Sequence, residues 1–225
     1  MKKISEQLKG ISKGPQSFTF LLSVLGTYMF VIIPFLNEGF SGRLLFMIFY
    51  FLFLSSGINF LDKKNKTIIV LFLVLPPFGI LIFDIFFYLP WLALAVDLFV
   101  IFYCVWLGSI ILARTFSKGH ITSNRVLGAI IVYLLSGFIF ALIYHIIYLL
   151  RGHGAFNGLI TCQRTEFMYF SITTLTTLGY GDITPVNVFA RSLSNLEALD
   201  GQLYPAILIA RLVSMEFTAT RNNNP

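Results

Sequence analysis

Charge is the scarcest commodity in this sequence of 225 residues. Only 12% are Asp, Glu, Lys or Arg, whereas 57% are hydrophobic and 25 are phenylalanine. That excess of apolar side chains rules out an ordinary soluble domain, and several runs are long enough to cross a hydrocarbon layer of about 30 Å. An integral membrane protein is expected, with the lipid bilayer as a partner. Cysteine is almost lacking as well. Cys104 falls in an apolar run and Cys162 in a loop, so no structural disulfide is expected, and nothing is learned of redox compartment. The three histidines and two cysteines are too scattered for a catalytic or zinc constellation, so neither an enzyme nor a cofactor is expected. A small-residue cleavage site is missing after Lys2, Lys3, Lys9 and Lys13, and the apolar run continues from Phe18 to Phe35. It reads as an uncleaved first transmembrane helix rather than a signal peptide. There is no tandem repeat, no low-complexity segment and no sizeable soluble domain. No nucleotide- or calcium-sensing module is expected in the ten residues that follow Met215.

What is present is a series of apolar runs, at 18–36, 44–60, 68–88, 91–113, 126–150 and 188–215, which predict six membrane helices. A shorter segment, Glu166–Thr176, lies between the last two. At about 1.5 Å per residue it reaches roughly 16 Å, half the bilayer. It can enter and return but not cross, a geometry tolerated only where protein or water surrounds it. The fold expected is an all-α membrane protein.

The net charge of +6 is explained by topology rather than nucleic acid, because the basic residues sit in short loops between apolar runs. With the N-terminus in the cytoplasm, Lys2, Lys3, Lys9, Lys13, Lys63, Lys64, Lys66, Arg114, Lys118, Arg125, Arg211 and Arg221 fall inside. Arg43, Arg151, Arg164 and Arg191 fall outside, so twelve of the 16 basic residues are cytoplasmic. Both termini are then cytoplasmic, and no nucleic-acid partner is expected.

The most informative stretch is Thr176-Thr177-Leu178-Gly179-Tyr180-Gly181-Asp182. Consecutive carbonyls turn the same way only if residues alternate between right- and left-handed conformations, and glycine takes the left-handed one at little cost. The Thr177 hydroxyl adds an oxygen at the inner end. This string resembles the selectivity filter of potassium channels, with Leu178 where valine is usual. The resemblance covers residues 126–215 in the order outer helix, extracellular loop, pore helix, filter, inner helix. It implies a pore domain there; the apolar runs before it give a four-helix transmembrane domain over 1–125, which carries no placeable motif, and a short cytoplasmic tail is expected over 216–225. Because one chain supplies one filter strand, the resemblance also implies a homotetramer around a four-fold axis. The filter's Asp182 end faces outward on the charge count, and the permeant K+ would be held at Thr177, Leu178, Gly179, Tyr180 and Gly181.

The resemblance also implies roles around the filter. Phe167, Tyr169 and Phe170, with Thr173 and Thr176, support it from the pore helix, and Tyr169 stands thirteen residues before Asp182, a spacing that suggests a hydrogen bond. The glutamate that some family members place behind the filter is replaced by Thr173. Gly201, twenty residues after Gly181, occupies the position of a hinge glycine. Independently, Pro205 has no amide hydrogen and frees the Gly201 carbonyl, which places a candidate gating bend on that turn; a static kink remains the plainer alternative.

At about 100° per residue, Gln202, Ala206, Ile209 and Val213 share one face of the sixth helix, and Glu197, Asp200, Tyr204 and Arg211 the opposite one. Chemistry alone would turn the acidic face to a cation pore. The resemblance instead puts Gln202 and Ile209 on the cavity, and that arrangement is adopted. Asp84, Asp97 and His145 are ionisable groups at membrane depth and mark a possible pH-responsive site, against local hydrogen bonding near the interface. Pro76-Pro77 should kink the third helix. The fourth run, Trp91–Ala113, has no arginine or lysine, so it lacks the gating charges of a voltage sensor.

The function expected is passive, potassium-selective conduction without steep voltage gating, in a bacterial plasma membrane. Competing readings are a weakly selective cation channel, a non-conducting partner subunit and a secondary cation transporter, although the repeats and paired broken helices of transporters are missing.

Overall fold

The computed structural model describes residues 16–32, 40–58, 79, 90–116, 122–161 and 163–223. Most of the third apolar run, with Pro76-Pro77 and Asp84, lies outside the described residues, and so does Cys162. The chain divides into two compact units, Met1–Leu92 and Ala93–Pro225.

In the first unit, α1 (Gln16–Thr27) runs into a π-helical turn, Tyr28–Ile32, and packs on α2 (Phe40–Ile58). Phe18, Leu21, Leu25 and Tyr28 recur every three or four residues and are buried, as a helix with one packed face requires. Tyr28 stacks on Phe49 of α2 with ring centroids 3.6 Å apart.

The second unit contains nearly all of α3 (Pro90–Thr115), then α4 (Ser123–Arg151), a loop, the short α5 (Arg164–Leu175) and α6 (Val188–Asn223). Val96, Val100, Tyr103, Leu107 and Ile111 form the buried stripe of α3, whereas Leu98, Phe102 and Val105 are exposed apolar groups on its other side. Among the described residues, two helices are long and apolar enough to cross a membrane, Trp91–Thr115 and Ser123–Arg151. α6 is longer still, but Arg191, Glu197, Asp200 and Arg211 interrupt its apolar character. It extends past the end expected at residue 215, because no proline or glycine follows to stop it before Asn223.

α4, α5 and α6 pack on one another in all three pairings. Gly137 makes the α4–α5 approach close: a Cβ there would lie 3.0 Å from Leu175 Cδ2 and 3.3 Å from Ile172 Cδ1. α4 ends at Gly152, whose φ of 74° is a left-handed value that glycine tolerates. The chain beyond α5 returns to the surface of the loop through a two-residue antiparallel ladder, β1 (Phe156–Asn157) with β2 (Thr184–Pro185). A short bent segment between α5 and β2 is thereby held at both ends, and it contains the glycine-rich string.

Candidate functional site

The backbone of that string alternates in hand. Thr177, Gly179 and Gly181 have φ of 58°, 53° and 80°, whereas Leu178 and Tyr180 between them do not have positive φ. This alternation is the condition under which successive carbonyls turn to one side. Glycine adopts the left-handed state freely, but for Thr177 it costs about 1–2 kcal/mol, so the surroundings must hold it. They do so through the C-terminal turn of α5. The Thr177 amide donates to the Thr174 carbonyl at 2.9 Å, and the Leu178 and Gly179 amides both donate to the Thr173 carbonyl, at 2.8 and 3.1 Å. Thr173 and Thr176 turn their own hydroxyls back to Phe170 and Ile172 carbonyls, so Thr173 supports the string through its backbone.

At the other end, the Tyr169 hydroxyl donates to Asp182 Oδ2 at 2.7 Å, and the Tyr169 and Tyr180 rings stack 6.5 Å apart. The Tyr169 hydroxyl holds the exposed Asp182 carboxyl below the usual carboxylate range. Asp182 is also gripped by the loop, since a Cβ on Gly158 would fall 1.8 Å from its carbonyl oxygen. The φ of 86° at Gly158 adds a second reason for glycine there.

The other aromatics of α5 face the opposite way. Phe167 and Phe170 are buried with Tyr144, Phe156, Ile183 and Ala190 in one cluster. Its rings meet edge-on, Tyr144 to Phe170 at 4.9 Å and Phe156 to Phe167 at 5.4 Å. Full burial of such a ring contributes about 1.5–3 kcal/mol, and each edge contact about 0.5–1.5 kcal/mol more. The cluster therefore anchors α5 between α4 and the loop, while Tyr169 is left on the string's side.

α6 lies behind α5. Glu197 is fully buried, with Oε2 receiving a hydrogen bond from the Tyr144 hydroxyl at 2.7 Å and Oε1 hydrogen-bonded to Ser171 Oγ. One turn on, Gly201 touches the end of α5: a Cβ there would sit 1.8 Å from the Leu175 carbonyl oxygen. Tyr204, on the same face, donates to the Ala129 carbonyl of α4 at 2.9 Å. The face carrying Glu197 and Tyr204 is thus turned toward α4 and α5. Gln202, Ala206, Ile209 and Val213 are exposed on this chain. α6 passes through Pro205 as a continuous helix, and Arg211 lays its guanidinium over the Phe116 ring at 4.6 Å.

A second polar centre joins three elements. Asp97 of α3 is fully buried, and its Oδ2 meets His145 Nδ1 of α4 at 2.5 Å. Its Oδ1 accepts from Arg164 Nε at 2.8 Å, and Arg164 also donates to the Ala93 carbonyl at 3.3 Å. In the sequence Arg164 counted only as an outer-loop cation, because its partner is 67 residues away.

Residues 128–217 match a family model described as an ion channel. That stretch is similar to ion channels, and the relatives it aligns with include a potassium channel. The chain is 38% identical over 149 residues to the voltage-gated potassium channel Kch of Escherichia coli (strain K12), covering 65% of this chain and 32% of Kch. It is 36% identical over 81 residues to protein LctB of Geobacillus stearothermophilus and 35% identical over 81 residues to protein LctB of Bacillus caldotenax. Each of those alignments covers 33% of this chain and 59% of LctB. The chain thus spans about a third of Kch and three-fifths of LctB. No solved structure matches.

Proposed function

We propose that the protein is a potassium-selective channel, in which four copies of the pore domain at residues 126–215 ring one conduction path. The observation that carries this reading is the alternating backbone from Thr177 to Gly181, tied to α5 at one end and to Tyr169 through Asp182 at the other. In this reading, carbonyls of Thr177, Leu178, Gly179 and Tyr180 and the Thr177 hydroxyl replace the hydration shell of K+. Neighbouring ions repel, and the file moves down its electrochemical gradient. The C-terminal end of α5 carries partial negative charge that favours a cation beneath the filter.

Gln202 and Ile209 line the cavity, supported by their exposure opposite the packed face of α6. Gly201 and Pro205 form the turn where α6 bends on opening. Residues 1–125 form a four-helix transmembrane domain, giving six membrane helices with both termini in the cytoplasm, as the excess of inner lysines and arginines favours. Kch is named for voltage gating, but no arginine or lysine lies between Trp91 and Ala113 here, so steep voltage dependence is not carried over. The bacterial relatives favour a bacterial plasma membrane.

Flux through the purified full chain in liposomes tests the reading, with potassium set against sodium gradients. Potassium-selective flux that barium blocks and Gly179→Ala abolishes is the result expected. Equal sodium and potassium flux would replace it with a weakly selective cation channel, and saturable proton-coupled exchange with a transporter.

A further inference from the structure

Glu197 is a buried carboxyl group that the proposed conduction path does not use. Its hydrogen bonds can be counted. Ser171 Oγ lies 2.7 Å from the Gly137 carbonyl oxygen and is also hydrogen-bonded to Glu197 Oε1, and Tyr144 Oη lies 2.7 Å from Glu197 Oε2. These three contacts need three hydrogens. Ser171 and Tyr144 supply one each, and the Gly137 carbonyl can only accept. With the Ser171 hydrogen committed to Gly137, a lone pair of Oγ faces Glu197. The third hydrogen must therefore be on the carboxyl group.

The surroundings agree. The ionisable groups that face Glu197 are Asp200 on its own helix and the phenols of Tyr133 and Tyr144 on α4, and α5 offers only Ser171. Among the described residues no cation pairs with it. A buried carboxylate without a cation, beside a second acid, is the arrangement proteins avoid, and a neutral acid satisfies every partner.

We propose that Glu197 is a neutral carboxylic acid acting as a positioning residue: it donates to Ser171, accepts from Tyr144, and seats α6 against the back of the pore helix. Ser171 is two residues before Thr173, whose carbonyl holds the Leu178 and Gly179 amides, so the acid sets the base on which the filter rests. Its consequence for selectivity rests on the channel reading above, but its protonation does not.

Two measurements on the full chain test this. Infrared difference spectra of wild type against Glu197→Gln at neutral pH should show loss of a protonated-carboxyl band. In liposomes Glu197→Gln, whose amide can donate to Ser171 and accept from Tyr144, should keep the potassium-to-sodium flux ratio within about twofold of wild type, whereas Glu197→Ala should lower it by about tenfold. Should Glu197→Ala fail to assemble, Ser171→Ala supplies the second variant, with a lowered ratio expected in an assembled protein. Absence of the infrared band, or a Gln variant as impaired as the Ala variant, overturns the proposal. Wild-type protein without selective flux would defeat the channel reading instead, and the infrared comparison would still decide the protonation.

Discussion

Gly201 and Leu175 touch backbone to backbone: the space that a Cβ on Gly201 would need lies 1.8 Å from the Leu175 carbonyl oxygen. The expected flexibility of this glycine is therefore joined by a steric requirement. Gly201→Ala must push α6 off the end of α5, at about 1–3 kcal/mol by analogy with overpacked cores. The unfolding temperature of the purified protein should fall. A glycine needed solely as a hinge would leave that temperature unchanged or slightly raised, since alanine is the better helix former.

Asp182 and Tyr169 give a pH prediction with a definite sign. The folded-state pKa of Asp182 is lowered, chiefly by the Tyr169 hydroxyl. The stabilisation from their hydrogen bond is thus fully present above the ordinary aspartate value of about 3.9 and is lost as the pH falls through the lower folded value. Flux should be insensitive to outer pH until below the usual carboxylate range. Tyr169→Phe should move that loss to higher pH, measured by flux against the pH of the outer solution.

Asp97 holds two cationic or potentially cationic partners while fully buried. Replacing it with asparagine removes one anion from beside the Arg164 guanidinium, whose side chain is only 21% exposed. Asp97→Asn should destabilise the protein by about 3 kcal/mol, the scale of a buried pair broken from one side. Arg164→Gln should be harmful for the converse reason. The double variant Asp97→Asn with Arg164→Gln should lose less than the sum of the two, which thermal unfolding can read as a coupling energy.

Gly158 is the position at which the loop closes on Asp182. With a φ of 86° and Asp182 backbone where a side chain would stand, Gly158→Ala is doubly disfavoured. It should shift Asp182 away from Tyr169 and reduce potassium flux about tenfold or more, with Gly154→Ala as the comparison because nothing stands within 4 Å of a Cβ there.

The parts most legible in the sequence were local. The glycine-rich string announces its alternating backbone because only glycine takes left-handed φ freely, and Thr177 adopts the same state under its own hydrogen bonds. The thirteen-residue spacing from Tyr169 to Asp182 was readable through the family resemblance, and the two side chains meet at 2.7 Å. The long-range partners were not legible. Glu197 and Ser171 are 26 residues apart, and Arg164 and Asp97 are 67 apart, so no periodicity links them. The amphipathic reading of α6 separated its two faces without saying which was buried. The family resemblance left Glu197 and Asp200 packed behind the cavity, and the hydrogen bonds of Glu197 and Tyr204 to neighbouring helices turn that face inward. A buried acid among apolar residues was the available signal, and it pointed equally well to a pore lining.

The seat of α6 on α5 has a mechanical consequence. At Glu197 and again at Gly201 the last helix bears on α5, which leads into the glycine-rich string, whereas Arg211, further along, grips Phe116 at the end of α3. Pro205 lies between the two attachments. The helix is therefore a lever clamped near its upper end and held again near its lower one, with its weakest hydrogen-bonded turn between. A pull on the lower grip reaches the glycine-rich string only to the extent that this turn resists bending.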